Sequence, residues 1–200
     1  MREDIKEILF TQEDLKAITK ELGEKVTRDY KDKKLYLVTI LKGAVVFLTD
    51  FMRNVDLPCE VDFMVVSSYG SGVTSSGNVK IIKDLDVPLE DKDILIVEDI
   101  LDSGNTLKFV VDMIKKRHPK SVEICALLDK PSRRIAAFQK RLESHGITAT
   151  VRRSLGGDID AKYVGREIPD EFVVGYGLDY DEKYRNLPYL GVLKPEVYTK

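Results

Sequence analysis

The residues of this 200-residue chain best suited to chemistry fall in one stretch, Ile94 to Leu107, which reads ILIVEDILDSGNTL. Glu98 and Asp99 set two carboxylates side by side. Asp102-Ser103-Gly104-Asn105-Thr106 follows as a small polar loop with a further carboxylate, two hydroxyls and a glycine. Ahead of them, Ile94 to Val97 suits a strand buried on both faces; behind them, Leu107, Val110, Val111 and Ile114 open an amphipathic helix. A strand, a tight Gly-containing turn and a helix start bring free backbone N–H groups and the positive helix end to one point, which holds a phosphate monoester. Ser103 and Thr106 add hydroxyl donors. The adjacent acids are wrong for phosphate but right for the two hydroxyls of a ribose, or for a magnesium ion bridging them. Together these features describe a site for ribose 5-phosphate. A buried strand before an Asp/Ser-capped helix is the plainer reading, and each piece alone fits it; the order of the whole string favours the site.

Elements elsewhere must position this stretch. Thr11-Gln-Glu-Asp14 resembles a capping box, and Leu15, Ile18, Leu22 and Val26 trace one face of a packing helix. Leu35 to Leu41 reads as a buried strand that ends at Lys42-Gly43, before the helical run Ala44 to Met52. Val61 to Ser67 is a second strand, and Val79 to Ile82 its return partner. The Gly/Ser segment between them, Ser68 to Gly77, is too long for a tight hairpin and has a lid's composition. Ser121 to Leu128 gives another buried strand, closed by Asp129-Lys130-Pro131-Ser132-Arg133-Arg134. Phe172 to Tyr176 is a strand followed by a polar, aromatic segment from Gly177 to Arg185. Strands alternating with helices predict an α/β fold with a mainly parallel central sheet and its ligand at the strands' carboxyl ends.

Composition narrows the classes. Lys and Arg total 32 against 34 Asp and Glu, a net charge of −2, so no overall basic bias invites nucleic acid and any anion site must be local. Cys59 and Cys125 are isolated, with no CxxC, and read as buried free thiols of a reducing compartment. The charged N-terminus lacks the apolar core of a signal peptide, and no run of about eighteen apolar residues spans a membrane. A cytoplasmic protein is expected. His118 and His145 sit near helix ends without metal-ligand companions.

The string ILIVEDILDSGNTL is neither a Walker loop nor a dinucleotide fingerprint. It resembles the phosphoribosyl-diphosphate motif of type I phosphoribosyltransferases. The resemblance spans Leu35 to Arg133 and Asp160 to Tyr198, and Ile168 to Tyr198 is similar to the base-binding segment of the hypoxanthine phosphoribosyltransferases. It implies a type I phosphoribosyltransferase fold with a small hood built from the N- and C-terminal segments, and transfer of a phosphoribosyl group to hypoxanthine or guanine. It also implies roles by residue. Asp102 is the candidate general base, or else orients the purine or caps the helix, and Glu98 and Asp99 hold the ribose and magnesium. Ser103, Gly104, Asn105 and Thr106 hold the 5-phosphate. Lys42, Gly43 and Arg185 hold diphosphate, and Asp179 a second magnesium. Lys130 donates to the purine 6-oxo group, Phe172 stacks on the ring, and the main chain at Val173 reads its edge. Ser68 and Tyr69 belong to a flexible loop that closes over the reacting centre. The resemblance further implies a homo-oligomer, dimer or tetramer.

One stretch departs from the pattern. Between Lys130 and Phe172 the chain is longer than the family suggests by about twenty residues. Arg134 to His145 reads as an amphipathic helix with Ile135, Phe138 and Leu142 on one face and Gly146 as its stop. Ile147 to Val151 alternates as a strand, and Ser154 to Asp158 as a turn. An extra helix–strand unit at 134–159 within a single domain is therefore expected. Its sequence resembles a short segment of radical-SAM RNA methyltransferases but lacks their cysteines, so no radical chemistry is inferred. Arg133, Arg134, Arg152 and Arg153 read as a solvated basic face. Two other functions stay open from sequence: a nucleotide-binding protein without catalysis, and a chimera built on the same fold.

Overall fold

The apolar runs picked out above become the centre of a six-stranded sheet in the computed structural model, which describes residues 1–68, 79–144 and 159–199. In chain order the elements are β1 (Ile5–Phe10), α1 (Gln12–Asp29), β2 (Leu35–Ile40), α2 (Val45–Met52), β3 (Glu60–Ser68), β4 (Val79–Lys83) and β5 (Asp93–Leu101). They continue with α3 (Asn105–Lys115), β6 (Ser121–Asp129), α4 (Pro131–Ser144), β7 (Tyr163–Glu167), β8 (Val173–Val174), β9 (Leu190–Leu193) and α5 (Pro195–Tyr198). The large sheet has the order β4-β3-β2-β5-β6-β7. All its pairs are parallel except β3 with β4. After β2 the chain moves outward through β3 and β4, then returns so that β5 lies on the other side of β2. That reversal opens a crevice at the carboxyl ends of β2 and β5, where open α/β sheets bind ligands.

Side-chain alternation along the strands divides the core into two layers. Leu35 and Leu37 of β2 and Leu95 and Val97 of β5 pack with α1 and α2. Tyr36, Val38, Ile94 and Ile96 face the other way, onto Leu107, Val110 and Ile114 of α3. Thr11 caps α1 in a reciprocal box with Asp14, and Leu15, Ile18, Leu22 and Val26 are all buried, as their spacing required. A separate antiparallel sheet, β1-β9-β8, joins the two ends of the chain into the hood.

Several expectations need correction. β5 runs on through Glu98 and Asp99 to Leu101, because its pairing with β6 continues to Asp129; the acids lie in the strand's last turns of pleat, not beyond it. Phe172 lies just ahead of β8, which is only Val173–Val174 and stops before Gly175 and Tyr176, both at positive φ. Cys59 is half-buried, while Cys125 is buried, and both are free. The helix expected over 134–145 begins earlier, at Pro131, where a missing N–H costs nothing. Its one buried residue is Arg134, and Ile135, Phe138 and Leu142 are only half-buried. The expected strand at 147–151, the turn at 154–158, His145, Arg152, Arg153 and Tyr69 lie outside the described residues. β7, which sequence reasoning missed, pairs with β6 and is the last strand on that side among the described residues.

Candidate active site

β5 delivers its acids into the crevice, and the turn after it wraps a cavity of about 300 Å³. Glu98, Asp99, Ser103, Asn105 and Thr106 line that cavity. Gly104 is the N-cap of α3, at φ 76°, and no side chain caps the helix. The turn therefore leaves the helix's first N–H groups for an outside acceptor. The same observation disposes of the reading in which Asp102 is a helix cap. Gly104 is needed for its left-handed backbone, and a Cβ there would also strike Ile159.

The two adjacent acids are not at ease. Glu98 has a buried Oε2 with no hydrogen-bond partner. Burial, then the neighbouring Asp99 charge, pushes its carboxyl well above the usual range. Asp99 is 7% exposed and raised to about 6, chiefly by burial; the N–H of Ile100 and the Arg185 charge oppose that rise, and Asp179 adds to it. Its Oδ1 accepts from the Ile100 N–H at 2.6 Å. Acids that prefer protons when empty suit a site meant for hydroxyl donors or a cation. Glu98 and Asp99 thus fit magnesium. Among the described residues no three acidic, thiol or imidazole groups converge on one metal position, so substrate oxygens and water would complete its shell.

A second cavity, about 250 Å³, adjoins the first. Lys130, Arg133, Phe172, Val173 and Tyr198 are among its walls. Ile100 and Asp102 line both cavities. Asp102 therefore stands at the junction. Its Oδ1 is buried without a partner, while Oδ2 accepts from Arg133 Nη1 at 3.2 Å. Lys130 is 6% exposed. Its ammonium donates to the Glu171 carbonyl at 2.7 Å, which leaves two of its three N–H donors, and burial lowers its pKa. Phe172 is 37% exposed, stacked on Tyr198 at 4.9 Å between centroids and edge-on to Tyr180 at 5.5 Å. This flat aromatic group beside main chain and a cation suits a heterocyclic base.

The groups predicted for diphosphate also converge. Gly43 lies so close to β5 that a Cβ would run into the Asp99 carboxylate, and a Cβ on Gly177, at φ 100°, would strike the Gly43 carbonyl. Lys42 Nζ and Arg185 Nη2 both reach Glu182 Oε2, at 3.1 and 3.4 Å. Arg185 also pairs with Asp179 Oδ1 at 2.8 Å and donates to the Gly177 carbonyl at 2.8 Å. Asp179 Oδ2 accepts from the Glu182 N–H at 2.9 Å, so both oxygens of this predicted magnesium ligand are engaged. Ser68 ends β3, paired with Val79, and its lid partner Tyr69 is outside the described residues. Sequence reasoning missed Tyr198, Glu182 and the pairing of Arg133 with Asp102, although Arg133 is exposed as a solvated face requires. The aromatic at the chain's end was the one available signal; the ion pairs join residues far apart in sequence and left none.

A parallel sheet with an acidic strand end, a phosphate-type turn and an antiparallel hood defines a class, and residues 5–141 match the phosphoribosyl transferase domain family. The chain belongs to the phosphoribosyltransferase family. Among its relatives, it is 51% identical over 199 residues to the hypoxanthine-guanine phosphoribosyltransferase of Staphylococcus aureus strain Mu50, covering all of this chain and 99% of that one. It is 50% identical over 200 residues to the enzyme of the same name from Staphylococcus epidermidis, covering both chains fully. A crystal structure of a Staphylococcus aureus hypoxanthine phosphoribosyltransferase superposes with a TM-score of 0.86 at 50% identity, over 100% of this chain and 97% of that one. A hypoxanthine-guanine phosphoribosyltransferase from Bacillus anthracis gives 0.79 at 38% identity, over 96% and 98%.

Proposed function

We infer that the protein is a purine-salvage transferase that moves the 5-phosphoribosyl group from phosphoribosyl diphosphate to N9 of hypoxanthine or guanine, giving IMP or GMP and releasing diphosphate. The observation that carries this is the place of Asp102 between a phosphate-type cavity and an aromatic one, with a buried unpartnered oxygen. Neither non-catalytic nucleotide binding nor a chimeric origin is favoured, since relatives named as transferases match along the whole chain.

The assignments follow the chemistry. The turn from Asp102 to Thr106 holds the 5-phosphate on the N–H groups opening α3. Glu98 and Asp99 hold the ribose hydroxyls and keep the sugar aligned as C1 gains positive charge. Phe172 stacks on the purine and the Val173 main chain reads its edge. Lys130 donates to the 6-oxo oxygen, which selects against adenine because an ammonium has no acceptor for a 6-amino group. Asp102 receives the purine proton as the new bond forms. Lys42, Gly43 and Arg185 receive the departing diphosphate, which must first displace Glu182. Magnesium held by Glu98 and Asp99, and a second magnesium at Asp179, would neutralise charge on the leaving group. The loop at Ser68 and Tyr69 is assigned as the lid.

We further read the chain as one domain with an added helix–strand unit at 134–159. It works in the cytoplasm as a homo-oligomer, dimer or tetramer, without nucleic acid or membrane. Among the described residues no helix is long and apolar enough to cross a membrane. Incubation with magnesium, phosphoribosyl diphosphate and each of hypoxanthine, guanine, xanthine and adenine tests the assignment. Diphosphate release with the first two and none with adenine is expected. Turnover of adenine alone, or of no base, would refute it.

A further inference from the structure

The helix α4 carries arginines that the transferase assignment leaves without a role, and three of them reach the turn after β5. Arg133 Nη1 donates to Asp102 Oδ2 at 3.2 Å. The side chain of Arg134 lies against Gly104, where a Cβ would come within 3.8 Å of its Cδ. Arg141 Nη1 donates to Asn105 Oδ1 at 2.8 Å. Arg134, Phe138 and Arg141 recur at i, i+4 and i+7, so one face of the helix is turned to the turn.

This face is built, not incidental. Arg134 is 3% exposed and grips both oxygens of Asp129, the last residue of β6, with Asp160 at 3.9 Å. That pair fixes the helix to the sheet. The Arg141 guanidinium sits 5.6 Å from the centre of the Phe138 ring, which limits its wandering before it meets Asn105.

Asn105 opens α3, next to the N–H groups assigned to the 5-phosphate. Asn105 is the first helical residue after the Gly104 N-cap, and an asparagine side chain can fold back to accept from a neighbouring backbone N–H. Such a bond would cover the donors the phosphate needs. Arg141 occupies that oxygen and adds a positive charge where a phosphate arrives.

We propose that α4 is a clasp on the phosphoribosyl turn, and that Arg141 is a positioning residue for phosphoribosyl diphosphate that acts by holding Asn105 away from the N–H groups of α3. The proposal rests on the transferase reading above. It makes part of the stretch that departs from the family pattern a working part of substrate binding.

The test is steady-state kinetics on Arg141→Ala, Arg141→Lys, Asn105→Ala and the double variant. Arg141→Ala raises KM for phosphoribosyl diphosphate about fivefold, with kcat and the hypoxanthine KM within about twofold. Arg141→Lys, which keeps a donor, recovers part of that loss. In the Asn105→Ala background, where no side chain can fold back, Arg141→Ala has no further effect on KM. Should Arg141→Ala melt early, Arg141→Met, which keeps the chain length without a donor, carries the same comparison. An active wild-type enzyme whose KM is untouched by these Arg141 changes, or whose loss persists without Asn105, overturns the clasp alone. A wild-type protein with no transferase activity overturns the parent reading and the clasp together.

Discussion

Two buried acid clusters in the large sheet have opposite fates. Asp62 on β3 is 5% exposed, yet it is fully provided for. Its carboxylate accepts from the Phe63 N–H at 2.7 Å, the Asp86 N–H at 2.8 Å, the Tyr36 hydroxyl at 2.9 Å and Lys83 Nζ at 3.2 Å. Burial pushes this acid up, and those donors outweigh it, holding the carboxyl below its usual range. Asp99 is also buried in the sheet and Glu98 is half-buried, but the buried Glu98 Oε2 and the nearby Asp102 Oδ1 have no partner at all. A chain able to satisfy one acid so completely leaves the others open where a ligand brings donors. Buried polar groups are costly unless paired; Asp62 is therefore structural, and on the proposed function the β5 acids carry a stability cost in exchange for binding.

The sharpest break in this contrast comes from Asp102→Asn. Turnover falls by on the order of 100-fold or more while affinity for phosphoribosyl diphosphate holds within a few-fold, since only the proton acceptor is lost. Pre-steady-state rates and direct binding measurements check it, and unchanged turnover removes Asp102 from the chemistry. Asp62→Asn does the reverse: unfolding in urea shows a loss of about 3 kcal/mol, because Lys83 and Tyr36 lose their charged acceptor, with kcat unaltered.

Glu98→Gln separates the clusters by a smaller margin. Glutamine is neutral at this disfavoured position without taking up a proton, which raises the stability of the free protein by about 1 kcal/mol, or about 3 °C in the melting midpoint. It also weakens binding of phosphoribosyl diphosphate. A destabilised variant with normal binding would place Glu98 with Asp62.

The smallest effect is in the pH dependence of the ligand-free protein. A carboxyl raised when folded, as Asp99 is to about 6, binds protons more tightly in the native state, so its contribution to stability rises as pH falls from about 6 towards about 4. Asp62 has the opposite sign. Its contribution is full above about 4 and is lost as pH falls further, through its lowered native value. Melting curves across that range should rise, then fall, on acidification, and Glu98→Gln with Asp99→Asn should flatten the first limb only.

How much of this is legible in the chain differs between the same two places. Apolar runs told where β2, β5 and β6 lie, because a doubly buried strand needs nearly every residue apolar. The turn Asp102–Thr106 was legible as a turn opening a helix because its features are local, contained in five consecutive residues, and α3 does start there without a side-chain cap. Asp62 passed as an unremarked position in a strand, since its partners come from residues 36, 83 and 86. The pairing of Arg133 with Asp102 and the burial of Arg134 were hidden for the same reason. A row of arginines reads as a solvated face until the fold brings Asp129 beneath it. Phe172 reads as strand from its β-forming neighbours, but it sits just ahead of the two-residue β8, its ring at the cavity wall.

The central claim is that backbone donors opening α3 grip a sugar phosphate while the β5 acids hold the sugar. A crystal structure with IMP bound tests it most directly. The account predicts the 5-phosphate within hydrogen-bond distance of the Ser103–Thr106 N–H groups, the ribose hydroxyls on Glu98 and Asp99, and the purine against Phe172. A nucleotide bound with its phosphate elsewhere, leaving that turn open to water, would contradict it.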